Sequence, residues 1–142
     1  MPKFFEIFSP EILSKISLPS FFDKVPAGFP SPAEDYVDRK LDLNDHLIKN
    51  PAATFFVKVA GNSMINAGIK SGDLLVVDRS LEPKDKKIVV AIINGEFTLK
   101  RILKKGDKLF LAPENENFAP IEIKEEMDFE VWGVVTWILH SG

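Results

Sequence analysis

Ser63 lies in the run Ala60-Gly61-Asn62-Ser63-Met64, between two stretches with the texture of β-strands. A serine hydroxyl becomes a useful nucleophile when a neighbouring base takes its proton. The usual base is histidine, but the chain holds only His46 and His140, neither in a convincing catalytic setting. Lys100 is the other candidate. It follows Asn94-Gly95, a pair that favours a two-residue hairpin turn because both central residues of a type I′ turn need positive φ. Such a turn sets Ile93 opposite Glu96, Ala91 opposite Thr98 and Val89 opposite Lys100 on one side of the ribbon. Ile92 with Phe97, Val90 with Leu99 and Ile88 with Arg101 occupy the other. Lys100 and Arg101 therefore point in opposite directions, and one of them lies against the apolar layer. Flanked by Val89, Thr98 and Ile102, Lys100 can be desolvated, which lowers a lysine pKa. A fall from ~10.4 to ~7–8, roughly 4 kcal/mol, yields a neutral amine able to accept the serine proton. The same residues also fit a turn serine and an exposed strand lysine, the commoner roles of both types.

The elements that must position this pair change character along the chain. Residues 4–32 carry six Phe and five Pro without a sustained period, which argues against a long helix or central strand. Residues 1–30 are read as an extended arm that lays aromatic side chains on a surface. Ser31-Pro32-Ala33-Glu34 is a capping box that predicts a short helix to about Lys40, with Ala33, Tyr36, Val37 and Leu41 on one face. Asp42-Leu43-Asn44-Asp45 caps a second helical piece that must end before Asn50-Pro51. From Thr54 onward, TFFVKVA, GDLLVVD, KKIVVAII, EFTLKRI, KLFLAP and FEVWGVVTWIL read as strands. The expected fold is mainly β, an antiparallel sheet domain over 31–142 with one or two short helices.

Composition narrows the function. A net charge of −3, from 18 basic and 21 acidic residues, argues against a general nucleic-acid binder. There is no cysteine, so neither disulfides nor thiolate metal sites are available. Two histidines without a tight acidic cluster make a zinc site unexpected, and neither a metal nor another cofactor is expected. No apolar run reaches the ~18 residues of a membrane span, and no cleavable leader is evident. The expectation is a cytoplasmic protein.

A third feature joins the serine and the lysine. Val25-Pro26-Ala27-Gly28-Phe29 combines an extended-favouring proline with two small residues that let a catalytic group approach the backbone. Proteases bind substrates as added strands, so the arm reads as a substrate carried by its own enzyme; a plain hinge would fit the same small pair. Together Gly61-Asn62-Ser63-Met64, Gly72 to Asp78, Gly95 to Lys100 and Ala27-Gly28 resemble the LexA/UmuD family of self-cleaving serine-lysine peptidases, on its UmuD side. The resemblance runs from about Phe21 to Trp137 and includes Gly28 to Ala33. It implies a LexA C-terminal-like, signal-peptidase-like architecture, with Ser63 as nucleophile, Lys100 as general base and Ala27-Gly28 as scissile bond. It further implies an oxyanion site of backbone N–H groups that includes Asn62, and support from Thr98 and Glu96. Pro26 departs from the ideal substrate strand by removing one backbone donor, which slows cleavage.

Only 27 residues precede Gly28, too few for a helix-turn-helix, so a repressor is not expected. Signal peptidases pair serine with lysine too, but they need a membrane anchor and usually a proline soon after Ser-Met, where this chain has Ile65-Asn66. Resemblance implies cleavage stimulated by a RecA nucleoprotein filament during the SOS response. The product is then an accessory subunit of a Y-family translesion polymerase, without sequence-specific DNA binding of its own. Leu18-Pro19-Ser20-Phe21-Phe22 reads as a short contact for a processivity clamp. A homodimer is expected, built partly on Phe129 to Leu139. Simple alternation there places Val131, Val135 and Trp137 on one face and Trp132, Val134 and Ile138 on the other. The competing reading is a non-catalytic interaction module of the same fold.

Overall fold

The structure, a computed structural model, describes residues 5–8, 17–21 and 38–142, with side chains from residue 42 onward. It divides into two units, Glu11–Lys49 and the combination of Met1–Pro10 with Asn50–Gly142. In chain order the described elements are β1 (Phe5–Phe8), β2 (Ser17–Phe21), β3 (Asp38–Asp42), α1 (Leu43–Leu47), β4 (Thr54–Val59), β5 (Leu74–Asp78), β6 (Ile88–Ile93), β7 (Glu96–Lys105), β8 (Lys108–Ala112), β9 (Ile121–Ile123) and β10 (Phe129–Leu139). The fold is mainly β and antiparallel, as expected from the sequence.

In the smaller unit β2 pairs with β3, with Pro19 opposite Lys40. A two-stranded ribbon has only edges, where a proline's missing N–H is tolerated. The helix expected to reach Lys40 is not present over its last part. Asp38 to Lys40 are strand, and Leu41 pairs with Leu18 instead of sharing a helix face. The capping box is a local preference, and β2 offers this stretch a backbone ladder that outweighs it; Ser31 to Val37 lie outside the described residues. The second cap forms as expected. The Asp42 carboxylate accepts from the Asn44 N–H at 3.0 Å and opens α1.

The larger unit is an eight-stranded sheet in the order β1-β4-β5-β10-β6-β7-β8-β9. The first part of the arm joins it as an edge strand, Phe5 opposite Val59 and Phe8 opposite Phe56. The Asn94-Gly95 turn gives β6 and β7 the expected register, with Val89 opposite Lys100 and Ala91 opposite Thr98. Two apolar clusters share β6. Val90 packs with Val57, Leu75, Val77 and Leu99, while Val89 and Ala91 pack with Ile102, Leu111 and Val134. Alternating residues of one strand thus serve two cores.

Strand β10 lies inside this sheet, bonded to β5 and β6, with register shifts between Val131 and Gly133 and between Val135 and Trp137. Each shift inserts a residue and reverses the alternation beyond it. The expected faces are therefore wrong. Val131 shares a cluster with Val134, whereas Val135 joins Trp132 and Ile138. Gly133 fits the first bulge because a Cβ there would stand 2.5 Å from Val77 Cγ1.

Two buried carboxylates fasten loops to the sheet. Asp78 accepts from Asn50 Nδ2 at 2.7 Å, Ser80 Oγ at 2.6 Å and the Ser80 N–H at 2.8 Å. Asp73 accepts from the Lys70 N–H at 2.8 Å and meets His140 Nδ1 at 2.7 Å. His140 is thus tied to a buried acid. Burial pushes both carboxyls up, but their hydrogen bonds outweigh it and hold both below the ordinary carboxylate value. Depressed carboxyl pKa values contribute stability above the unfolded value of ~3.9, and that stability is lost as pH falls through the folded values. Thermal melts should therefore show Tm dropping below about pH 4. Asp78→Asn should lower Tm at neutral pH and flatten this acid limb. An acid limb of unchanged slope would remove Asp78 from the account.

Candidate active site

Ser63 leaves β4 through Gly61, whose φ of 103° belongs to the left-handed region that glycine enters without cost. The chain then makes a short 3₁₀ turn at Ile65–Ala67 and closes on Gly68 at φ 79°. Between the glycines, Met64 is 2% exposed and packs into the first core cluster. Its burial anchors the loop and leaves the neighbouring Ser63 half-buried at the surface of a cleft.

Lys100 reaches the same place from β7. Its Nζ lies 3.4 Å from Ser63 Oγ, 2.8 Å from Thr98 Oγ1 and 3.1 Å from the Leu99 carbonyl oxygen. Thr98 is on the same side of the strand two residues back, as strand periodicity requires. No carboxylate forms an ion pair with Lys100 among the described residues. Burial accordingly pushes its pKa below the ordinary lysine value, because the charged form is the one that desolvation penalises. A neutral amine has two N–H groups and one lone pair. With Thr98 Oγ1 and the Leu99 carbonyl taking the donors, the lone pair is left for the Ser63 hydroxyl. At 3.4 Å that contact is long for a hydrogen bond, as serine-base contacts often are before substrate tightens them.

The cleft measures about 540 Å³ and includes Asn62, Glu96, Phe118 and Ile121 besides the pair. Of the residues expected from the sequence, Ser63, Lys100 and Thr98 meet at hydrogen-bond range. Asn62 and Glu96 line the same cleft without touching Lys100 Nζ. Ala27 and Gly28 lie outside the described residues. Arg101, on the opposite side of β7, forms an ion pair with Glu114 and donates from Nη1 to the Lys86 carbonyl at 2.6 Å. Lys100 is therefore the strand cation that faces Ser63.

The sequence reading missed what holds the serine loop in place. Glu114 and Asn115, just past β8, grip it at three points. The Glu114 N–H donates to Met64 Sδ at 3.3 Å, the Glu114 carbonyl accepts from the Asn66 N–H at 2.7 Å, and Asn115 Nδ2 donates to the Asn62 carbonyl at 2.7 Å. The signal available in sequence was the polar run Pro113-Glu114-Asn115-Glu116-Asn117, whose type suggests only a turn.

Residues 19–136 match the family described as Peptidase S24-like. The chain is 47% identical to the protein SamA of Salmonella typhimurium over 123 residues, 87% of this chain and 85% of that one. It is 41% identical to the protein MucA of Escherichia coli, covering 92% of this chain and 90% of that one. A LexA repressor from Shewanella denitrificans is 40% identical over 84% of this chain but only 58% of its own length. The chain belongs to the Peptidase S24-like family, the LexA/UmuD group of self-cleaving proteins.

Proposed function

We propose that the protein cuts its own chain between Ala27 and Gly28 with Ser63 and Lys100, and that the cut form acts in SOS mutagenesis. Neutral Lys100 accepts the Ser63 proton as Oγ attacks the Ala27 carbonyl carbon. The carbonyl electrons move onto oxygen, where backbone N–H groups of the serine loop, Asn62 among them, stabilise the charge. The intermediate collapses, the C–N bond breaks, and Lys100 returns the proton to the leaving Gly28 amine. Water then hydrolyses the Ala27 ester by the same steps and frees Ser63. Glu96, at the mouth of the cleft, serves the substrate strand.

The observation that carries this reading is the environment of Lys100 Nζ: half-buried, free of ion pairs among the described residues, and placed between Thr98 and Ser63. The likeness to LexA, SamA and MucA supports the same choice. Mass spectrometry of the purified protein at mildly alkaline pH tests it. A fragment of residues 28–142 is expected, and replacing Gly28 with a bulky residue should block its appearance. A main fragment starting elsewhere would count against the assignment.

The wider role follows the UmuD side of the family. In this proposal a RecA filament stimulates cutting in the cytoplasm, and the shortened protein serves a Y-family polymerase as a homodimer. Because β10 is bonded on both edges, dimer contacts there use side chains such as Trp137, which is 40% exposed, rather than strand pairing. Light scattering at micromolar concentration should give twice the mass of 15.9 kDa; a monomer mass would sink the dimer.

A further inference from the structure

The base and the nucleophile are held by different means. Lys100 sits in the β6–β7 ladder opposite Val89, so its backbone position is set by the sheet. Ser63 sits in a loop, and its peptide groups need other partners. The Asn62 carbonyl has two donors, the Ile65 N–H within its own turn at 3.2 Å and Asn115 Nδ2 from the segment after β8 at 2.7 Å. The Asn115 amide cannot serve the other way round, because its Oδ1 accepts from the Asn117 N–H at 3.0 Å.

The peptide between Asn62 and Ser63 is trans, so its C=O and N–H point in opposite directions. Whatever holds the Asn62 carbonyl toward Asn115 aims the Ser63 N–H away from Asn115. Among the described residues, the Ser63 N–H has no acceptor. A rotation of this one peptide would replace a donor with a carbonyl oxygen beside the reacting hydroxyl, which repels a developing oxyanion instead of binding it.

We propose that Asn115 is a positioning residue that locks the Asn62–Ser63 peptide so that the Ser63 N–H serves as an oxyanion donor. Glu114 completes the lock. Its backbone holds Met64 and Asn66 on the far side of the serine, and its carboxylate binds Arg101, the residue next to Lys100. Nucleophile loop and base strand are thereby referred to one common brace. This inference rests on the self-cleavage reading for its catalytic consequence but not for its structural content.

Asn115→Ala removes the donor, and Asn115→Asp keeps the shape while presenting an acceptor to a carbonyl. In the full chain, both should lower the plateau rate of self-cleavage ~10-fold or more while leaving the pH midpoint set by Lys100 unchanged. A second measurement does not need cleavage. In Ser63→Ala protein, adding Asn115→Ala should produce millisecond exchange broadening of the amide ¹⁵N signals of residues 62–64, with signals from the β6–β7 ladder unaltered. Unchanged signals at 62–64 would overturn the lock. Altered signals with a cleavage rate within about twofold of the unsubstituted chain would overturn its oxyanion role. If the unsubstituted chain does not cut itself at all, the self-cleavage reading fails, and the amide signals still decide whether Asn115 holds the peptide.

Discussion

Lys100→Arg should all but stop self-cleavage, although it keeps a basic side chain of similar length at the site. Arginine stays protonated at any pH the fold tolerates and has no lone pair to accept the Ser63 proton. Loss of the general base is expected to slow the reaction on the order of 10²–10⁴-fold, and Ser63→Ala should remove it altogether. The unsubstituted chain should show the base directly in its pH profile. Burial depresses the Lys100 pKa, so the amine is charged and inactive below that folded value and neutral above it. The cleavage rate must then rise with pH through the folded pKa and level off beyond it. The midpoint of the rise should lie below the ~10.4 of a free lysine. Quantifying the 28–142 fragment over time, from about pH 6 to pH 10, tests this. A flat profile would remove lysine as the base whatever the geometry suggests.

The second large effect concerns what the cut does. A chain beginning at Gly28 and carrying Ser63→Ala should support damage-induced mutagenesis, whereas full-length Ser63→Ala should not. The physical reason lies in β1. Phe5–Phe8 pairs with β4 from Val59 back to Phe56, and this places the first part of the arm along a sheet edge. Cutting at Ala27-Gly28 turns that strand from a tethered neighbour into a separate short peptide. Intramolecular pairing benefits from an effective concentration that a free peptide loses. Once it departs, β4 presents unpaired backbone groups on its outer edge, a ready surface for another chain. On the proposed reading, a chemical step at one bond becomes a change of partner. Mutation frequency after DNA damage, in a strain lacking the native protein, is the measurement. Equal frequencies for the two chains would show that cleavage is not the switch.

What the sequence determined by itself is the part governed by short-range physics. Asn94-Gly95 dictates a tight turn, and a tight turn dictates register. The opposition of Val89 with Lys100, and the placing of Thr98 on the lysine's side, were therefore legible in the sequence. So was the Asp42 cap on α1, a contact over two residues. The strands from β4 to β7 announced themselves by β-branched residues between turns and β8 by a short apolar run, whereas β9 was missed because three residues carry no period.

Only the tertiary structure decided the rest. The approach of Ser63 to Lys100 spans 37 residues, the Asp73–His140 contact 67, and the Asn62–Asn115 contact 53. The faces of β10 depended on two bulges that alternation cannot foresee, because a bulge reports how a strand meets its neighbours. The last part of the helix expected to reach Lys40 gave way to β3 for a similar reason: a helix cap is local, but a strand ladder is completed by a partner about twenty residues earlier in the chain. Local preferences of about a kcal/mol per residue yield when distant backbone and apolar partners become available.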